Sequence, residues 1–108
     1  MESTMLRIYD VILEVLRELR PVLARIENQD PSLGKQLRRC ATSMALNTAE
    51  GGGCRGGTQR QRYLDALGSA RESAACLDAA DALGYCPLDA KLRDRIEHIA
   101  ATLLRCVR

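Results

Sequence analysis

The residues able to do chemistry in this chain of 108 are few and scattered. Five cysteines stand at 40, 54, 76, 86 and 106, with no Cys-x-x-Cys spacing, and His98 is the single histidine. A Cys/His zinc site therefore lacks its usual ligand pattern. Cys40, Cys76 and Cys106 fall on apolar helical stripes, which predicts buried, reduced thiols in a reducing compartment. Ser69 and Ser73 have no histidine nearby in sequence to act as a base. His98 borders an apolar stripe beside Ile99 and reads as a satisfied or solvated histidine, not a general base. No catalytic set, metal, cofactor or small-molecule substrate is expected, so the chain reads as a non-enzyme. Glu72 adjoins the alanine-rich face of its helix, and a buried carboxylate needs a partner. Arg38 or Arg39 across the bundle supplies one, which predicts a structural polar lock.

A second chemical suggestion comes from Gly51-Gly52-Gly53-Cys54-Arg55-Gly56-Gly57. Gly51 to Gly56 satisfies G-x-G-x-x-G, and Gly51 to Thr58 misses the phosphate-loop pattern only at Gly57, where lysine belongs. Both motifs need a strand before the loop. Here the preceding segment is helical, so the loop reads as a turn.

The elements that position these residues are helices. Leu (16) and Ala (14) dominate, Trp and Phe are absent, and 46% of residues are apolar. That is too apolar for a disordered chain and too poor in aromatics for a β-sandwich. The expected fold class is all-α, one domain over 1–108, with helices at about 4–27, 31–50, 58–83 and 88–107. In the first, Tyr9, Ile12, Leu16, Leu19, Leu23 and Ile26 form a heptad seam. Ile8, Val11, Val15 and Val22 form a second apolar line beside it, which allows burial on a second side. Pro21 should kink or break this helix. Asp30 and Pro31 cap and open the second helix, and Thr58 with Gln61 fits a capping box for the third. Gly84 fits the end of the third helix, and Pro87 with Asp89 opens the fourth. Short links then give an antiparallel up-down-up-down four-helix bundle. No apolar run approaches a membrane span, and Met1 to Thr4 lacks the character of a signal peptide, so a cytoplasmic location without membrane association is expected.

The formal net charge is only +2, with 14 Arg against 2 Lys, a ratio that base composition also produces. The bundle topology separates the charges. Arg7, Arg55, Arg60, Arg62, Arg105 and Arg108 gather at the end holding the glycine loop and both termini, against Glu2 and Glu50. The opposite end holds Glu27, Asp30, Asp78, Asp81 and Asp89 against Arg25, Lys35 and Lys91. Lys35, Arg38, Arg39 and Thr42 form a basic polar strip on the second helix. The six arginines of the basic end together with Lys35, Arg38 and Arg39 are the candidate nucleic-acid contacts. A basic end can hold phosphates. An ordinary solvated face, with Arg105 and Arg108 matched to a helix dipole, fits equally well.

Gln36-Leu37-Arg38-Arg39-Cys40-Ala41, then Ser43 and Asn47-Thr48-Ala49-Glu50-Gly51, resemble a family pattern Q-L-R-R-A-A…S-x-x-x-N-I-A-E-G. Tyr63-Leu64, Ala66-Leu67-Gly68-Ser69-Ala70-Arg71-Glu72 and Leu83-Gly84-Tyr85 are similar to its A-L-G-S-x-x-E and L-G-Y segments. Cys40 and Thr48 stand where the family usually has Ala and Ile. The family is that of four-helix-bundle proteins encoded in intervening sequences of bacterial 23S rRNA genes, and it includes the accessory variability protein of diversity-generating retroelements. The resemblance implies a homopentameric barrel of four-helix bundles. In the retroelement branch it implies nucleic-acid binding (RNA or DNA) through a basic surface and a reverse transcriptase as partner. It marks Arg38, Arg39, Asn47, Glu50 and Glu72 as family positions of structural character. The other expectation is a scaffolding oligomer that binds another protein and has no nucleic-acid role.

Overall fold

The computed structural model describes residues 3–108, so Glu2 lies outside the described residues. Four helices form: α1 (Ser3–Gln29), α2 (Pro31–Gly52), α3 (Gly56–Ala82) and α4 (Ala90–Val107). α1 packs on α2, α2 on α3, α3 on α4, and α4 back on α1, which is the cyclic order of an up-down-up-down bundle 42 Å long. One core runs through all four helices.

Local chemistry sets most boundaries as the sequence predicts. Asp30 is extended and accepts a 3.0 Å hydrogen bond from Leu33 N, with Pro31 opening α2. Asp89 accepts from Leu92 N at 3.1 Å and starts α4. Gly84, at φ 77, follows the last residues of α3, where Tyr85 N donates to Ala80 O and Gly84 N to Asp81 O. That pair of bonds is the Schellman arrangement, and glycine takes its left-handed conformation without a Cβ clash.

Two boundary expectations are corrected. α1 runs unbroken through Pro21, which is exposed on its outer side. The capping box at Thr58 and Gln61 does not form. α3 begins earlier, at Gly56, after an extended Arg55 whose side chain makes no capping bond. Gly56, at φ 59, turns the chain into the helix, and Gln61 donates to Asp65 instead.

The second apolar line of α1 is also used differently. Ile8 and Val15 are buried, and Val11 and Val22 pack half-buried against the same core. Val11 shares a surface groove with Lys91, Asp94, Arg95 and His98 of α4, and Val22 lies against Leu77, Cys86 and Leu92. Both lines form one wide face spent inside the bundle. The leucines of α1 left off this core are Leu6, 52% exposed, and the half-buried Leu13.

Candidate nucleic-acid interface

The antiparallel order brings the glycine loop beside both the start of α1 and the end of α4. A cavity of about 710 Å³ opens there. It is lined by Met5, the loop from Gly52 to Arg55, Gln59 and Tyr63 of α3, and Arg105 and Cys106 of α4. The loop is held in shape. Gln59 Nε2 donates to Gly51 O at 3.0 Å and to Cys54 O at 2.9 Å. Gly51 is buried against the Tyr63 ring, where an added Cβ would come within 2.3 Å of Cε1, so only glycine fits.

Arg60 Nε donates to Val107 O at 2.9 Å and ties α3 to the end of α4, where a cation also complements the helix dipole. Arg105 reaches Thr102 Oγ1 at 3.2 Å. Arg62 pairs with Glu50 at 3.2 Å. Arg7, Arg55, Arg105 and Arg108 have no carboxylate at ion-pair distance among the described residues, so this end keeps an excess of positive charge.

A second concave surface lies on the outer side of α2. A groove of about 610 Å³ is lined by Lys35, Arg38, Arg39, Thr42, Ser43, Leu46, Asn47, Glu50 and Arg62. Lys35 and Arg39 are exposed, and Arg38 pairs with Glu27 of α1 at 2.6 Å. Leu46, 57% exposed, stands in the middle of this basic strip.

The predicted polar lock is not formed. Glu72 is exposed and makes no ion pair among the described residues, while Arg38 turns to Glu27 and Glu50 to Arg62. Arg39 is solvent-facing. An uncharged ladder occupies the α2–α3 seam instead. Ser69 donates to Ser43 Oγ at 3.0 Å, and Asn47 Nδ2 donates to Ser43 Oγ at 2.9 Å and Ser43 O at 3.0 Å. Ser73 Oγ donates to Ser69 O at 2.8 Å and lies 3.2 Å from Cys40 Sγ. Thr48 satisfies its hydroxyl on Met44 O at 2.8 Å. Hydroxyls can close such bonds within a dry seam at little cost, whereas a buried carboxylate brings a large desolvation penalty.

Burial pushes the Cys40 thiol up and drives Cys76 to about 12, with the charge of nearby Glu72 adding to both. Thiols held this way stay protonated and are poor nucleophiles. Cys106, expected to be buried, is exposed, with its sulfur 3.3 Å from Met5 Sδ. The next position, Val107, takes its place in the core. His98 is exposed on α4 beside Asp94 and Arg95.

Residues 5–105 match the sequence profile described as the 23S rRNA-intervening sequence protein, which spans nearly the whole chain. The chain belongs to this family. No curated protein and no solved structure matches it. The matched stretch reaches into all four helices of the bundle.

The sequence reading missed two clusters. Arg95 of α4 bridges Glu14 and Glu18 of α1, and Arg93 joins Asp78 of α3 to Glu97. Arg93 holds the Asp78 carboxyl below the usual carboxylate range. The Arg95 pairs join the first helix to the last and Arg93–Asp78 joins consecutive helices, so only the i, i+4 spacing of Arg93 and Glu97 is readable along the chain. Among the described residues no helix is long and apolar enough to cross a membrane.

Proposed function

We propose that this member of the 23S rRNA-intervening sequence protein family is a non-enzymatic, cytoplasmic homopentamer that binds RNA through its glycine-loop end. One observation carries the reading. Arg55 and Arg105 line one cavity that has no carboxylate among its described lining residues, Arg60 follows its lining residue Gln59, and Arg62 lines the α2 groove. Concave positive surfaces concentrate polyanions. In a pentamer, weak sites on every copy add by avidity. The resemblance to the retroelement accessory protein extends the reading to a partner that handles nucleic acid, such as a reverse transcriptase.

The test replaces Arg55, Arg60 and Arg62 with Ala and measures RNA affinity across a salt series. Affinity should fall, and the slope of log K against log salt should become shallower by about 2–3, at about 0.7–0.9 per lost phosphate contact. Unchanged affinity and slope would overturn RNA binding at this end. Native mass spectrometry tests the assembly, and a monomer at micromolar concentration contradicts it.

A second reading, a scaffold that binds another protein, is favoured by the exposed Leu46, because a solvated leucine contributes nothing to holding phosphates. Pull-down before and after nuclease treatment separates the two.

A further inference from the structure

Among the described residues, four large apolar side chains stand in solvent: Leu6, Leu46, Leu83 and Leu88. Singly exposed leucines need no explanation. Three of these, however, sort by charge into two unlike patches. Leu46 lies in the α2 groove with Lys35 and Arg39, neither of which has a carboxylate at ion-pair distance among the described residues. Leu83, 60% exposed, and Leu88, 37% exposed, stand on the turn from α3 to α4, between Asp81 and Asp89.

That turn is built to hold its leucines outward. Tyr85 N bonds Ala80 O at 2.8 Å, Leu88 N bonds Asp81 Oδ1 at 3.1 Å, and Arg25 of α1 bonds Tyr85 O at 3.2 Å. Asp81 and Asp89 each accept one backbone N–H, and neither has a cation partner among the described residues. Asp78 is paired to Arg93, so the cations left near the turn among the described residues are Arg25, bound to Tyr85 O, and Lys91 in the first turn of α4. An ordered turn loses little entropy on docking, which favours it as an anchor.

We propose that the α3–α4 turn of one copy seats in the α2 groove of a second copy, with Leu83 and Leu88 against Leu46 and with Asp81 and Asp89 facing Lys35 and Arg39. The occupant follows from complementarity: an apolar knob with anions meets an apolar groove with cations, and one chain carries both. The inference rests on the homo-oligomer reading and adds the faces that make it. Because the two patches differ, the contact is heterologous. Each copy gives one knob and offers one groove, so repetition builds a head-to-tail assembly, a ring where the rotation closes, and not a two-fold pair.

Two exposed-site variants test it, Leu46→Asp in the groove and Leu83→Asp on the knob. Circular dichroism should show wild-type helix content for both. Native mass spectrometry should show each variant alone as a monomer. Mixed in equal amounts, at concentrations where the wild type is fully assembled, they should give a one-to-one heterodimer, because one intact knob and one intact groove remain. Wild-type assembly that persists in both variants overturns this contact and leaves the oligomer reading standing. Monomeric variants that do not combine overturn the heterologous pairing. A wild type that is itself monomeric overturns both readings together.

Discussion

The α2–α3 seam and the α1–α4 seam solve the same problem in opposite ways. Between α2 and α3 the buried residues are mostly small: Ala41, Ala45, Ala66, Ala70, Ala74, Ser73, Cys40 and Cys76. Small side chains let the backbones approach, and the polar atoms close on each other across the gap. Between α1 and α4 the core is built from Ile8, Ile12, Val15, Ile96, Ile99 and Leu103, and Arg95 clips the outer edge to Glu14 and Glu18. Large aliphatics hold the axes apart, and this is the sparsest of the four seams. The difference teaches that one bundle can owe its strength to close approach on one side and to apolar volume on the other.

That contrast can be broken in several ways. The largest difference should appear in thiol reactivity. With Cys76 at about 12, its thiolate is scarce at pH 8, roughly a thousandfold below that of an ordinary thiol. Iodoacetamide at pH 8, followed by peptide mass spectrometry, should modify exposed Cys106 long before Cys40 or Cys76. Equal labelling would mean that the α2–α3 seam opens readily. Next in size, Ile99→Ala, at a position with no exposure, should cost about 2–5 kcal/mol in urea unfolding, because it loses transfer energy and leaves a void. Ala70→Leu, equally buried in the other seam, should cost about 1–3 kcal/mol by overpacking. If Ala70→Leu were neutral, the seam would not be close-packed. The smallest effect belongs to Arg95→Ala. Its partners are about half exposed, so the loss should be about 0.2–1 kcal/mol and should shrink in high salt.

The α1–α4 side was the more legible in sequence. Its large aliphatics repeat every three or four residues, and only one face of each helix can satisfy that period. Even there, the last step was ambiguous: after Leu103 both Cys106 and Val107 fit the spacing, and packing chose Val107. The α2–α3 side was harder. Alanines occur all around α3, with Ala75 and Ala82 exposed and Ala70 and Ala74 buried, so its apolar face is faint. Glu72 and Ser73 are neighbours separated by about 100° around the helix. The buried position belongs to the serine and not to the carboxylate.

The candidate site divides in the same way. Its cations were readable one by one, and the up-down order placed Arg55, Arg60 and Arg105 at one end. The cavity they line, the ties from Arg60 to Val107 and Gln59 to the loop, and the exposed leucines that flank opposite charges were not readable. By itself the sequence determined four amphipathic helices, their caps at Asp30, Asp89 and Gly84, and their family, because these depend on local dihedral preferences and on residue period. Only the tertiary structure decided which cations keep a partner, which thiols are sealed, and which leucines are left outside. Those outcomes depend on distances between residues remote in the chain, and periodicity along one helix carries no such distance.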